Sequence, residues 1–269
     1  MNFAGKVAWI TGASSGIGAA LAREFAARGG HVVLSGRDEA RLAGVAASLA
    51  TESLILPFEV RDDAAMAEAT AKALAWRGGV DMAVANAGVS QRATALKTDM
   101  QVYRDIIAID LTQQIAFSQG LIGHMADRGS GALLFASSIA GKVGVPLRTA
   151  YCAAKFGLAG YADALRAELS QTGVSVHVIY PGSVATDVSR NALTADGAKR
   201  GRSDKAIDEG IPAGEAARTM LDAVANGQRE IIVARGMELA MGEARRTPEA
   251  LFDQVAAMVA AGYIAKMEG

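Results

Sequence analysis

The stretch Val7-Ala8-Trp9-Ile10-Thr11-Gly12-Ala13-Ser14-Ser15-Gly16-Ile17-Gly18 decides how the rest of the chain is read. Val7–Ile10 is a short apolar run suited to a buried strand, and Gly16–Arg28 has the periodicity of a helix. A glycine-rich turn joins them. Strand, turn and helix in this order form the setting in which backbone N–H groups gather around a phosphate. Gly12 suits the sharp exit from the strand, Gly16 lets the backbone approach a pyrophosphate, and Gly18 lets the helix pack close to the sheet. Ser14, Ser15 and Ile17 fill the positions between. The spacing is G-x-x-x-G-x-G, so the generic dinucleotide fingerprint is not met letter for letter, and a tight turn without a ligand is the competing reading.

Outward from this turn, short β-branched runs alternate with longer alanine-rich ones. Strands fit Val7–Ile10, His31–Ser35, Ser53–Phe58, Val80–Ala85, Ala132–Ala136, Val174–Tyr180 and Glu230–Val233. Helices fit Gly16–Arg28, Asp38–Ala50, Asp62–Ala75, Asp99–Asp127 (as one helix or two), Ala150–Ser170 and Ala213–Ala225. This alternation predicts an α/β fold, a parallel sheet covered by helices on both faces. No linker divides the 269 residues, so a single domain over 1–269 is expected. Asp187–Pro212 lacks periodicity and reads as a lid over a site or a disordered segment. Met237–Gly269 reads as a helical extension, with Pro248 opening a last amphipathic piece, Glu249–Lys266.

Composition narrows the function. A net charge of −1 gives no electrostatic case for nucleic acid or an anionic membrane. The single cysteine, Cys152, leaves no internal disulfide, and His31, His124 and His177 lack metal-ligand spacing, so no metal is expected. With neither a signal-peptide pattern nor an apolar run long enough to span a bilayer, a soluble cytoplasmic protein is the expectation.

The chemistry points to Tyr151-x-x-x-Lys155. On a helix this spacing sets a phenol beside an ammonium, and a neighbouring cation pulls a phenol toward the working pH range of an acid–base catalyst. Ser138 stands in a glycine-containing turn after a strand, where its hydroxyl could reach the same substrate oxygen. At the end of the second strand, Gly36 leaves room and Arg37 suits the 2′-phosphate of NADP. Asp38 could instead hold the ribose of NAD, although it also suits a helix N-cap. NADP(H) is therefore preferred, with NAD(H) the alternative. Cys152, Trp9, Trp76 and the histidines read as structural, and Lys199-Arg200-Gly201-Arg202 with Lys205 as a solvated loop face.

Taken together, Thr11–Gly18, Asn86-Ala87-Gly88, Ser138, Tyr151-x-x-x-Lys155 and Pro181-Gly182 resemble the short-chain dehydrogenase/reductase superfamily from about Lys6 to Val233. Within it, Asn86–Arg92 and Ile139–Tyr151 are most similar to the dehydrogenase/reductase member 7 type. The resemblance implies a Rossmann-type, doubly wound sheet of about seven strands in three α/β/α layers, with NAD(P) across its carboxyl edge. It implies Tyr151 as general acid/base, Lys155 as the residue that lowers the phenol pKa and holds the nicotinamide ribose, and Ser138 as the residue that orients the substrate oxygen. It implies Asn86, with Ala87 and Gly88, beside the adenosine ribose. Pro181, Gly182 and Val184 would line the nicotinamide, with Thr186 near its carboxamide. Glu59 replaces the usual Asp before Val60, where the adenine amino group is met. Asp110 stands where the family has an asparagine that helps hold a relay water, and it adds a negative charge near Lys155. The resemblance also implies a homodimer or homotetramer paired through the runs 111–127 and 150–170.

The activity so expected is hydride exchange between nicotinamide and a carbonyl or secondary alcohol of hydrophobic or medium size. Val89–Arg92, Ala140–Val145 and the lid are its expected contacts. An NADP(H)-binding sensor without catalysis, with Asp110 marking a broken relay, is the reading from another class.

Overall fold

In the computed structural model, which describes residues 2–262, strands and helices alternate as the β-branched and alanine-rich runs require. The order is β1 (Val7–Thr11), α1 (Gly16–Ala27), β2 (His31–Ser35), α2 (Glu39–Ala46), β3 (Ser53–Ile55), α3 (Asp63–Ala75), β4 (Met82–Ala85), α4 (Met100–Ile107), α5 (Gln113–Asp127), β5 (Gly131–Ala136) and α6 (Thr149–Glu168). It continues with β6 (Val174–Pro181), β7 (Val184–Ala185), α7 (Lys205–Asp208), β8 (Ile211–Pro212), α8 (Ala213–Ala225), β9 (Glu230–Val233), α9 (Gly236–Ala244) and α10 (Glu249–Ala260). Seven strands form one parallel sheet in the order β3-β2-β1-β4-β5-β6-β9. The direction of winding reverses between β1 and β4, which opens a crevice at their carboxyl ends.

Alternation along β1 explains the three layers. Ala8 and Ile10 face a core with Leu21, Phe25, Met220 and Leu221 from α1 and α8. Val7 and Trp9 face the other core, with Phe117, Leu121 and Leu158 from α5 and α6. Trp9 is fully buried, meets Phe117 edge-on at 4.7 Å and donates its indole N–H to Ser35 Oγ at 2.8 Å. Each large apolar side chain buried this way contributes roughly 1.5–3 kcal/mol.

Several boundaries differ from expectation. The third strand ends at Ile55 rather than Phe58, because Pro57 has no N–H to give the ladder. Leu56 and Phe58 still donate to Leu34 and Gly36 as irregular chain. The fourth strand starts at Met82, not Val80. The second helix stops at Ala46 instead of Ala50, and Asp38 caps it by accepting from Arg41 N–H at 3.0 Å. The run Asp99–Asp127 is α4 and α5 joined by a π-helical turn, Ala108–Thr112, which holds Asp110.

Residues 187–212 are built rather than shapeless. They contain α7, they pair β8 with β7, and Leu193 bridges to Gln91 and Lys199. In the C-terminal extension, α10 covers Glu249–Ala260, and residues 263–269 of the expected helical run lie outside the described residues. Phe252 packs under the guanidinium groups of Arg166 and Arg229, 4.3 and 5.8 Å from its ring centroid.

Candidate active site

The glycine turn sits at the reversal of the sheet. A Cβ on Gly18 would collide with the Gly12 carbonyl and lie 2.7 Å from Asn86 Nδ2, so the first turn of α1 can approach this closely only as glycine. Gly12 and Gly16 have positive φ, 67° and 55°. Ser15 is the N-cap of α1 but makes no side-chain cap bond, which leaves the helix's first N–H groups without a side-chain acceptor from the cap. Asn86 ties the neighbouring strand to this turn. Its Nδ2 donates to Thr11 O at 3.0 Å, while the Asn86 and Ala87 N–H groups donate to Thr11 Oγ1 at 3.0 and 3.1 Å. A groove of about 720 Å³ leads from Gly16 and Thr186 along α1 and α8, away from Tyr151.

At the end of β2, Arg37 is exposed and lies 3.5 Å from Glu59, which is also 3.7 Å from Arg61. Asp38 is engaged in its cap. An exposed guanidinium, an uncapped helix N-terminus and a positive-φ glycine turn fit a dinucleotide along this edge. The Pro181–Thr186 segment brings Thr186 up to the glycine turn, 3.2 Å from where a Cβ on Gly16 would stand. Val184 is buried, and the Thr186 hydroxyl donates to Val184 O at 3.3 Å and accepts from the Val188 N–H at 3.4 Å.

Ser138, Tyr151 and Lys155 converge beyond the ends of β5 and β6. Ser138 stands in extended backbone, ahead of a 3₁₀ turn over Ile139–Gly141, and its Oγ donates to Pro181 O at 3.4 Å and accepts from Ala140 N–H at 3.1 Å. Tyr151 and Lys155 share one face of α6, with Nζ 5.6 Å from the phenol ring centroid. Lys155 is buried, and donates to Ala136 O at 2.8 Å. Its Nζ also lies 3.2 Å from Asp110 Oδ2, while Asp110 Oδ1 accepts from Val89 N–H at 2.8 Å. The π-helical turn directs this carboxylate inward.

One electrostatic expectation is corrected. Burial pushes the Tyr151 phenol above the ordinary tyrosine value, and the downward pull of Lys155 does not overcome it. Asp110 adds to the rise, whereas Ser138 and Arg92 oppose it. Burial also pushes the Asp110 carboxyl up, against the pull of Lys155 and of the Val89 N–H.

Four side chains take positioning roles that the sequence reading did not assign, although Val89–Arg92 was expected to touch substrate. Gln91, fully buried, accepts from Ala150 N–H at 2.8 Å and so fixes the start of α6. Arg92 bonds Asp204 at 2.7 Å and clamps the segment 187–212 against the loop after β4. Glu238 of α9 accepts from Ser183 N–H at 2.7 Å and from its hydroxyl at 2.9 Å, and it occupies the space a Cβ on Gly182 would need. Arg200 pairs with Asp204 and donates to Ser189 Oγ at 2.8 Å, so this part of the expected solvated face is engaged. Only a composition unusually rich in Arg and Asp over 187–205 hinted at such a clasp. Cys152 is half-buried, its Sγ accepting from Val145 N–H at 3.4 Å. Among the described residues no cluster could hold a metal, and no helix is long and apolar enough to cross a membrane.

This fold and arrangement have close parallels. The short chain dehydrogenase family model matches residues 6–197, and the chain belongs to the short-chain dehydrogenase/reductase family, as an NAD(P)-dependent oxidoreductase. Among curated proteins it is similar to the dehydrogenase/reductase member 7 type. It is 36% identical over 242 residues to dehydrogenase/reductase SDR family member 7B of Danio rerio, covering 87% of this chain and 78% of that one. The Drosophila melanogaster dehydrogenase/reductase SDR family protein 7-like is 33% identical over 237 residues, 86% of this chain and 73% of the relative. A short chain dehydrogenase/reductase from Burkholderia phymatum, solved in complex with NAD, shares the fold with a TM-score of 0.82 and 23% identity, over 92% of this chain and 98% of that one.

Proposed function

We propose that the chain interconverts carbonyl compounds and secondary alcohols with NADP(H), and that Tyr151 is its proton donor and acceptor. The observation that carries this reading is the convergence of Ser138, Tyr151 and Lys155 beside a loop, Pro181–Thr186, suited to a nicotinamide. The bound cofactor supplies the hydride donor or acceptor. The Ser138 hydroxyl orients the substrate oxygen, the Tyr151 phenol gives or takes its proton, and the buried Lys155 ammonium faces the phenol. Val89, Tyr103, Leu193 and Tyr151 all pack on one small apolar cluster of Val102, Ile106, Ala150 and Ala154, and these apolar surroundings favour an apolar substrate of medium size.

NADP(H) over NAD(H) rests on Arg37, which is 70% exposed in its side chain, and on Asp38 being spent on its helix cap. The reading extends to a cytoplasmic enzyme, in keeping with one unpaired cysteine. It also extends to a homodimer or homotetramer formed through α5 and α6, where Phe156 is exposed. Light scattering tests the assembly.

The functional test is a screen of ketones, aldehydes and alcohols that follows NADPH absorbance in both directions. Tyr151→Phe should abolish turnover while leaving NADPH binding intact, and retained activity would sink the assignment. Arg37→Ala should weaken NADPH far more than NADH, and equal effects on both would refute the phosphate role. Silence with every substrate, together with tight NADPH binding, would favour a sensor.

A further inference from the structure

Three cations act on the Tyr151 phenol, two from its own helix α6 and one from elsewhere in the fold. Lys155 lies on the phenol's own helix, Arg92 on the loop after β4, and Arg148 at the start of α6. Left unopposed, they would favour the phenolate. Each is instead met by a carboxylate. Lys155 Nζ lies 3.2 Å from Asp110 Oδ2, Arg92 Nε 2.7 Å from Asp204 Oδ2, and Arg148 3.7 Å from the same Asp204 oxygen. Arg200 completes the shell around Asp204, and the Cys152 thiol faces Arg148.

The pair at the centre is the driest. The side chains of Lys155 and Asp110 are 4% and 0% exposed, so water screens their fields little. Asp110 Oδ1 is taken by the Val89 N–H, which leaves Oδ2 to the lysine. A carboxylate and an ammonium this close titrate as a unit, and the pair is neutral overall whichever of them holds the shared proton. An uncharged amide at position 110 would leave a net positive charge beside the phenol.

We propose that Asp110 cancels the field of Lys155 at Tyr151, so that the phenol keeps its proton at neutral pH and the site is set as a proton donor, for carbonyl reduction. Asp110 is a positioning residue that acts through Lys155, and this proposal rests on the reading of Tyr151 given above. The upward displacement of the phenol, to which both burial and Asp110 contribute, agrees with it. Asp204 does the same for Arg92 from outside the core. Thermodynamics fixes the ratio of kcat/KM in the two directions, so the tuning shows as the position of each limb on the pH axis.

The test is the titration of Tyr151 itself. Asp110→Asn keeps an acceptor for the Val89 N–H and removes only the charge. Tyrosinate difference absorbance is followed in the cofactor-free protein, and the same titration of Tyr151→Phe in each background isolates this phenol from the other tyrosines. Tyr151 should titrate about one pH unit lower in Asp110→Asn than in the wild type, and the alkaline limb of kcat/KM for reduction should move the same way. Should circular dichroism show Asp110→Asn unfolded, Asp204→Asn, which frees Arg92, must give a downward shift. An unmoved midpoint in a folded variant overturns the proposal, and so does an upward one. Because the titration needs no turnover, an enzyme silent toward every carbonyl would refute the proposed function and leave this result readable.

Discussion

Glu230→Gln is the substitution expected to cost this fold most for its size. Glu230 opens β9, and its carboxylate meets Lys142 Nζ at 2.8 Å, with side chains only 1% and 4% exposed. The same carboxylate accepts from the Thr247 N–H at 2.9 Å and from its hydroxyl at 3.3 Å. Lys142 also donates to Arg245 O at 3.1 Å and lies 4.4 Å from the Tyr180 ring centroid. The glutamine keeps the shape and an acceptor for Thr247 but strands the lysine's charge in the core. Removing one partner of a buried pair costs about 3–5 kcal/mol. The retained acceptor puts the expectation near ~3 kcal/mol, a large share of the roughly 5–15 kcal/mol that holds a domain together. With a urea slope of about 3 kcal/mol/M, the midpoint should fall by about 1 M. Urea unfolding followed by circular dichroism measures this. The double variant Lys142→Met with Glu230→Gln, which strands no charge, should recover more than half of the loss. A single-variant cost below ~1 kcal/mol, or a double variant that loses the sum of both singles, would refute the reasoning.

Two further outcomes follow from the same packing. Gly18→Ala should destabilise the fold by about 1–3 kcal/mol and weaken cofactor binding, because its methyl group would strike the Gly12 carbonyl. Thermal unfolding and NADPH fluorescence titration read both effects, and wild-type affinity would contradict the close approach. His177 is buried, its ring nitrogens on Gln228 O at 2.6 Å and Ser175 Oγ at 2.9 Å. Burial holds its pKa below the ordinary value, so the unfolded chain binds the proton first. Stability should therefore fall as pH drops through ~6.5, and His177→Gln should flatten that part of the pH dependence of urea unfolding.

The sheet and the pairing of Tyr151 with Lys155 were legible because both are written locally. β-branched runs mark the strands, and Tyr151 with Lys155 are four residues apart on one helix. What escaped depends on partners far along the chain. Arg92 finds Asp204 across 112 residues, and Lys142 finds Glu230 across 88. No period or motif encodes such meetings, since each residue alone reads as a surface charge. The sign of the Tyr151 displacement was missed for the same reason. The sequence displays the lysine beside the phenol but not the burial around it, and burial outweighs the lysine. Asp110 could be flagged by sequence as a misfit charge, whereas its inward aim depends on the π-helical turn at Ala108–Thr112.

The tie between Lys142 and Glu230 has a consequence for how the protein is made. The turn that carries Ser138 is braced through Lys142, and the brace needs Glu230, Arg245 and Thr247, with Glu230 and Arg245 lying 88 and 103 residues further along. A nascent chain emerging from the ribosome therefore carries its glycine turn, Tyr151 and Lys155 well before the Ser138 turn can be anchored. The turn is anchored only when β9 docks beside β6. Chains cut short before Thr247 should hold Ser138, Tyr151 and Lys155 and still lack a firmly anchored Ser138 turn.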